Sequence, residues 1–494
     1  MSSLLGSSSS AGARVLARRF WLGALATALA ACAVGPDHEV PQRPVPAHWQ
    51  AAGTGGLAAE ARDPGSWWQG LGEARLAQAV ELALRQNLDV REAYARLRAA
   101  AALRGVAAAE QWPQLDARGA YEHREESENT PFGKFIPRTD IHAAGLDASW
   151  ELDLWGRVRR SVEAAGRELE VSEAELQAVG VSVAAAAARA YVDLRAAERR
   201  LAIASDNLAL QQQTLALVRA RLDAGLVVAR DVAQAAASVE TQRARLPLLA
   251  AARTAAANRL AVLLGLPPGE LPAELLAPQP LAVPPSRVAV GTPADLLRAR
   301  PDVRAAERRF AAAVARIGVA TADQYPRFVL AGTLGLASNG AGKFFDDGSD
   351  VLGFGPSVRW SLFDGGRLRQ RVVARTAEAE ALQLAWERTV LVAVEEAEGA
   401  MARFTAEQER QQALAAAAQQ ARSAVRLSRA QYEEGLSDFQ AVIDSQRLVA
   451  TVEDDLATSE AAVVQHLVEL YTALGGAPLG PRPEGGAAVA VSGR

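Results

Sequence analysis

The feature that most restricts this chain is a stretch that occurs twice. Trp150-Glu-Leu-Asp-Leu-Trp-Gly156-Arg157 returns as Trp360-Ser-Leu-Phe-Asp-Gly-Gly366-Arg367, with the Trp, Leu, Gly and Arg positions matched at a spacing of 210. The same spacing joins Gly225-Leu226 to Gly435-Leu436 and Leu264-Gly265 to Leu474-Gly475. Upstream it widens to 213, relating Asp89-Val90-Arg91 to Asp302-Val303-Arg304 and Pro113 to Pro326. The difference falls between Pro113 and Trp150, where a loop absorbs it. Solenoid repeats run at roughly 20–50 residues, so this period describes one large unit duplicated. A chain of 494 residues would by length alone suggest several domains, but the duplication favours one pseudo-symmetric body.

Hydrophobic alternation precedes each copy of the motif. Leu115, Ala117, Gly119 and Tyr121 alternate with Asp116, Arg118 and Glu122. Further on, His142, Ala144, Leu146, Ala148, Trp150 and Leu152 alternate with Asp147, Ser149 and Glu151. In the second copy Phe328, Leu330, Leu334 and Leu336 alternate with small residues, and Phe354, Val358, Trp360 and Leu362 with Ser357, Arg359 and Ser361. Period two over about ten residues, apolar on one side and polar on the other, is the pattern of a transmembrane β-strand. Strands are expected at about 115–123, 141–152, 327–337 and 354–362. An ordinary half-buried sheet would show the same alternation in one strand, but four such strands joined by polar loops favour the membrane. Four strands cannot close a barrel in lipid, because open edges would leave backbone groups unpaired. The barrel must therefore be shared between protomers.

After Arg157 no proline occurs until Pro247, and after Arg367 none until Pro478. A continuous helix from Arg157 to Leu222 would run about 100 Å at 1.5 Å per residue. Leu194, Leu201, Leu208, Leu215 and Leu222 recur every seven residues, a coiled-coil seam. Gly225 and Gly435 mark reversals into returning helices, and Pro247 is expected to kink one of them. Each copy thus reads as a helical hairpin hung from a pair of strands. Only 5% of residues are aromatic, and the abundant alanine lets long helices lie close together, as in a tube or bundle.

The organisation along the chain follows. Residues 1–31 read as an export signal, with Arg14, Arg18 and Arg19 before an apolar run from Phe20 to Leu29. The run closes on Leu29-Ala30-Ala31-Cys32, a bacterial lipobox in which Cys32, the sole cysteine, would be lipidated. Ala33 follows in place of an aspartate retention signal, which favours the outer membrane. Residues 32–66 read as a Pro-rich tether, 67–265 as the first repeat with helical patterning from Trp67 to about Glu110, 266–295 as a Pro-rich linker, 296–477 as the second repeat and 478–494 as a disordered tail. A net charge of −4 leaves no basic footprint for nucleic acid.

Taken together, these residues resemble the TolC-like outer membrane factor family, in its OprM/NodT-type lipoprotein branch. The resemblance rests on Cys32 with Gly35-Pro36-Asp37, on Trp67-Trp68, and on Arg300-Pro301-Asp302-Val303-Arg304-Ala305-Ala306-Glu307 with Tyr325-Pro326. It rests equally on Gly355-Pro356-Ser357, Leu362-Phe363-Asp364-Gly365-Gly366-Arg367 and Tyr432-Glu-Glu-Gly435-Leu436. It implies an α+β membrane fold in which a homotrimer pools four strands per protomer into a 12-stranded barrel, continued by a periplasmic coiled-coil barrel of helices. It also implies a passive exit duct, without cofactor, in the outer membrane. Its partners would be a periplasmic adaptor (membrane fusion protein) and an inner-membrane transporter of the resistance-nodulation-division (RND) class.

The resemblance further implies a periplasmic gate on the helix after the second reversal. Asp444 and Arg447 match its charged pair and Gln440 its constriction position, where the branch often carries an apolar residue. Tyr432 matches a tip residue that ties neighbouring helices. At 210 positions upstream, Gln234 and Ala237 are uncharged, so the hairpin itself does not demand the pair. An ordinary surface pair on a wet helix gives the same spacing. Trp150 and Trp360 suit interfacial anchors or simple packing against the helix starts, and Asp364-Gly-Gly-Arg suits a helix-start device.

Enzyme motifs fail. Asn339-Gly-Ala-Gly-Lys343-Phe344 lacks the first glycine and the hydroxyl residue of a phosphate-binding loop. The five histidines show no close metal spacing. Competing readings are a structural envelope-spanning lipoprotein, a type I secretion exit channel, and a periplasmic adaptor, which would carry one hairpin where this chain has two.

Overall fold

The computed structural model describes residues 33–477, apart from 42, 52, 54, 61–64, 128, 131–134 and 136–137, together with 479. The export signal, Cys32 and all of the tail but residue 479 lie outside the described residues.

In chain order the elements are β1 (Leu57–Ala58), a 3-10 turn (Trp67–Leu71), α1 (Ala74–Gln86), α2 (Leu88–Ala109), β2 (Gln114–Arg124) and β3 (Thr139–Leu152). Then come α3 (Arg157–Asp223), α4 (Ala229–Leu263), α5 (Ala273–Leu276), β4 (Val288–Ala289), α6 (Pro293–Ala299) and α7 (Pro301–Ala322). The chain continues through β5 (Arg327–Asn339), a 3-10 turn (Ala341–Lys343), β6 (Asp350–Arg359), α8 (Arg367–Glu433) and α9 (Phe439–Ala473). The duplication recurs element by element. The long helices α3 and α8 are both 67 residues, the returning helices α4 and α9 both 35, and α2 and α7 both 22.

Two compact units are present. Among the described residues, one holds 33–41 with Leu97–Val171 and Ala306–Trp386, and the other holds the rest of them. In the first, β2, β3, β5 and β6 form an antiparallel sheet in sequence order. The register sorts its side chains cleanly, because successive residues of a strand point to opposite faces. Leu115, Tyr121, Leu146, Trp150, Leu330, Leu334, Leu352, Phe354 and Val358 share one face. Phe354 is 86% exposed and Leu352 73%, so among the described residues no protein covers them on this apolar face. Asp116, Arg118, Asp147, Ser149, Thr333 and Ser357 share the other. Among the described residues, strands β2 and β6 each pair on one side only.

Acidic caps start the long helices. Asp153 accepts from the backbone N–H groups of Val158 and Arg159 (3.0 and 2.8 Å), and Asp364 from those of Gly366 and Leu368 (both 2.9 Å). Each satisfies two of the donors that a helix N-terminus leaves unpaired. The Asp364 carboxyl is held below its usual range, chiefly by the Leu368 N–H.

In the second unit the two copies close in the same way. The Asn87 amide donates to the Leu263 carbonyl, and 213 positions on, the Arg300 guanidinium donates to the Ala473 carbonyl, both at 3.0 Å. The helical patterning from Trp67 to about Glu110 resolves into a turn and two helices. Asn87 leaves helical geometry (φ −56°, ψ 137°), and its side chain accepts from Asp89 and Val90 to start α2. Helix α4 continues on either side of Pro247.

The described part of the Pro-rich segment is held by specific contacts. Trp49 is buried and donates its indole N–H to the Gly291 carbonyl (3.0 Å), while β1 pairs in parallel with β4 of the linker. Nearer the N-terminus, Gly35 lies so close to Gly318 that a Cβ on it would come within 2.5 Å of the Gly318 Cα. Asp37 pairs with Arg160 (2.7 Å) and His38 with Glu307 (2.7 Å). Proline pre-extends the backbone, and these buried partners then fix its path. At the other end, Leu479 donates its N–H to Gln177 (2.6 Å) and rests where Gly180 lacks a side chain.

Candidate functional site

Two places collect the residues singled out from sequence. The first is the strand–helix junction. Trp150 donates its indole N–H to the Gln111 carbonyl (2.9 Å), and Trp360 donates its own to that of Gln324 (3.0 Å), two carbonyls that are themselves 213 apart. Each indole therefore ties a strand end to the last turn of the helix before it. Both side chains remain partly exposed (37% and 54%), so the polar edge is satisfied while the ring stays available to an apolar surround. At the first junction Trp155 stacks on Tyr325 (4.8 Å, 26°) and donates to the Pro326 carbonyl (2.9 Å).

Gly156 and Gly366 both take positive φ (80° and 86°), where a side chain would be strained. Gly156 has a further constraint, since a Cβ there would lie 2.8 Å from that of Ala33. Arg157 forks onto Glu151 through two 2.9 Å bonds and reaches Glu110 at 3.4 Å. The repeat is not exact here: Ser361 stands where Glu151 would recur, so Arg367 has no matching carboxylate on its strand.

The second place is the pair of hairpin reversals. Gly225 and Gly435 have φ of 72° and 77°. Gly225 N–H donates to Leu222 O and Leu226 N–H to Arg221 O, repeated by Gly435 to Tyr432 O and Leu436 to Gln431 O, at 2.8–3.0 Å. This double bond pattern closes a helix only when the residue after it is left-handed, which is why glycine recurs. Leu226 and Leu436, next in line, are 69% and 73% exposed.

Around the reversals Val218, Ala235, Tyr432, Phe439, Val442 and Ile443 form a small core. The Tyr432 ring meets Phe439 (5.4 Å) and lies under the Arg221 guanidinium (4.6 Å). Burial raises the Tyr432 hydroxyl above its usual pKa, with Arg221 opposing. Arg221 also donates to the carbonyls of Tyr432 (2.6 Å) and Glu433, the last of α8. It thereby caps one helix from another, where a cation meets the negative end of the helix dipole. Sequence reading missed Arg221. A basic residue two positions before a helix stop usually caps its own helix, and its partner lies 211 residues away.

Asp444 and Arg447 lie on α9 with 3.8 Å between their charges, and Gln440 donates its amide to Asp444 at 2.9 Å. Asp444 and Arg447 are well exposed, so within one chain the pair adds only about 0.2–0.5 kcal/mol to the helix. Deeper in the hairpins, Gln446 donates to Thr214 (2.7 Å, buried) and Arg200 forks onto Asp454 (2.7 and 2.9 Å). Among the described residues no cluster of three or more His, Cys, Asp or Glu could hold a metal ion. No helix among them is long and apolar enough to cross a membrane.

Comparison with known proteins agrees with this architecture. The outer membrane efflux protein family matches residues 79–266 and 292–476, the two copies of the repeat. Nodulation protein T of Rhizobium leguminosarum bv. viciae is 31% identical over 459 residues, covering 92% of each chain. Outer membrane protein OprJ of Pseudomonas aeruginosa is 30% identical, covering 92% of this chain and 94% of that one. Among solved structures, the outer-membrane channel OprN superposes with a TM-score of 0.85 at 35% identity, over 90% of this chain and 99% of that chain. The open-state MtrE channel of Neisseria gonorrhoeae gives 0.79 at 27% identity, covering 90% and 98%.

The fold is that of a TolC-like outer-membrane channel. The chain belongs to the outer membrane efflux protein family, and it acts as the outer-membrane channel component of an efflux system.

Proposed function

We propose that three copies of this chain form a passive exit duct for small molecules, its rest state closed at the hairpin reversals. The carrying observation is the four-stranded sheet with one apolar face, one polar face and two unpaired edges. Lipid would take the apolar face, and water the polar one. Edges in lipid must be paired, so β2 of one protomer meets β6 of the next, and three copies give 12 strands. Trp150 and Trp360, at equivalent strand ends, suit the inner membrane–water boundary.

The helical hairpins would reach into the periplasm, where the exposed Leu226 and Leu436 offer apolar contacts to a periplasmic adaptor. The adaptor would link the duct to an inner-membrane RND-type transporter, which selects the cargo. Cys32, once lipidated, would anchor the chain to the outer membrane. Its two or more acyl chains hold stably where one would not.

Asp444, with Gln440 and Arg447, would face the threefold axis at the gate. Three carboxylates brought near an axis repel one another and attract cations, and each Arg447 offsets part of that charge. Tyr432, held by Arg221, would keep the second hairpin packed on the first in the closed state.

Planar-bilayer conductance of the purified lipidated protein tests this reading, with wild type beside Asp444→Ala/Arg447→Ala. A small conductance that rises in the double variant supports a gate at the second reversal. No conductance from a folded trimer in either form refutes the duct, and equal large conductance in both refutes the gate assignment.

A further inference from the structure

Within the first compact unit the two repeats are not equally covered. Helix α7 packs on α8 through Ala313, Ile317 and Ala379. It meets α3 through Arg316, which pairs with Glu168 (2.8 Å), and at Gly318, where a Cβ would come within 2.9 Å of the Arg160 Cγ. Just beyond its end, Tyr325 stacks on Trp155 (4.8 Å). Helix α2, the duplicate of α7, has the first kind of neighbour: Arg104, matched to Ile317, lies beside Gly166 of α3. The second kind is missing. Gly105 is the match of Gly318, yet among the described residues a Cβ there would meet nothing within 4 Å. Leu103, the match of Arg316, is exposed, as is Val106, and Trp112, the match of Tyr325, is 71% exposed.

The repeat specifies that missing neighbour. The α3-side positions that α7 and Tyr325 touch, Glu168, Arg160 and Trp155, recur 210 residues on as Glu378, Gln370 and Gly365, along α8 and at its start. The matched pairs run antiparallel: Leu103 with Glu378, Gly105 with Gln370, and Trp112 with Gly365. Along the same stretch Val373 and Leu384 of α8 are exposed, and Phe363, two residues before Gly365, is 91% exposed. Both halves of a seam are thus present on one chain, one in each repeat, and a second copy supplies what α2 lacks. Glycine inside an exposed helix weakens it for no local return. A side chain lying across it, as Arg160 does at Gly318, gives Gly105 its reason.

We propose that α8 of a second copy seats along α2 in the register by which α3 seats along α7, and that Trp112 meets Phe363 of that copy in an aromatic clasp beside the strand–helix junction. The clasp takes the place of the Trp155–Tyr325 stack. One ring is kept, since Trp112 stands at the Tyr325 position. The other moves, since Gly365 stands at the Trp155 position and Phe363 carries the ring nearest to it in sequence. The seam between copies also loses an ion pair, with Leu103 where Arg316 would be, and Glu378 turns to Arg375 of its own helix (2.7 Å). It is therefore more apolar there than the seam within a chain. Burying rings that water otherwise surrounds favours association, and a paired geometry adds to it. This inference rests on the three-copy reading above and carries its β2–β6 edge on into the helices.

Disulfide trapping tests the seat. The Cβ position on Gly318 lies 2.9 Å from the Arg160 Cγ, and the Arg160 Cβ is one C–C bond of about 1.5 Å further back. The two Cβ positions are therefore within about 4.4 Å, inside the roughly 3.5–4.5 Å spacing of a disulfide. Gly105→Cys/Gln370→Cys, oxidised mildly in outer membranes, should give covalent dimers and trimers on denaturing gels. Neither single variant should, which also controls for Cys32. Cross-linking within one chain, or none in trimers that native gels confirm, overturns the seat. No trimer in wild type overturns the three-copy reading instead. The clasp is read from Trp112→Ala, Phe363→Ala and both together, as the dissociation constant of the trimer in mild detergent. Each single change should weaken the trimer about tenfold. The two together should add less than about threefold more, because either change breaks the same contact. Losses that multiply in full, or no loss in any variant, overturn the clasp.

Discussion

Replacing Arg221 by alanine tests how the hairpin reversals are held together. The change removes a charged donor from the carbonyls of Tyr432 and Glu433 and a cation from the Tyr432 ring. Hydrogen bonds to a charged group contribute about 1.5–3 kcal/mol in favourable sites. A cation–π contact adds about 0.5–1 kcal/mol where solvent has access. Arg221 is only half-buried, so screening reduces the total to about 2 kcal/mol. If the contact exists only in the closed arrangement, its loss raises the open population about 30-fold.

Single-channel recording reads open probability directly, with Arg221→Lys as the companion variant. Lysine keeps the charge but not the two-pronged fork, so it should fall between wild type and alanine. Open probability unchanged within about twofold in Arg221→Ala, alongside a lowered melting temperature, would show that Arg221 serves stability alone and would refute the latch.

Other expectations can be checked by unfolding. Gly225→Ala and Gly435→Ala meet open space, so the whole cost is left-handed backbone strain, about 1–2 kcal/mol each, read as a lowered urea midpoint of the solubilised protein. For Asp302, burial pushes its pKa up, but the Arg300 guanidinium and backbone N–H groups outweigh this and hold it below the usual carboxylate range. A carboxylate lowered in the folded state stabilises the protein above its unfolded pKa, near 4, and that stabilisation is lost as pH falls through the folded value. Asp302→Asn should therefore be less stable than wild type at pH 6, with the difference shrinking progressively below about pH 4; a constant difference down to pH 2.5 would refute the linkage.

Periodicity is a local property of the chain, and what depends on it could be read from residues alone. Alternation placed Leu115 and Tyr121 against Asp116 and Arg118, and each pair has the common face that alternation assigns. Absence of proline and a glycine stop predicted the long helices, and the 210-residue spacing predicted two of them. The physics of lipid then excluded four strands as a closed barrel.

Tertiary structure alone decided the contacts between distant segments. Arg221 meets Tyr432, Trp49 meets Gly291, and Asn87 and Arg300 play one anchoring role with different chemistry. The Pro-rich segment reads as a tether because proline reports backbone stiffness, not the partner it lies against. The same holds for Gly35 and Gly145, whose reason is a neighbouring backbone too close for a Cβ. Local pattern sets which elements form and which face is apolar. Which groups then meet depends on packing between residues hundreds of positions apart, and no local period encodes it.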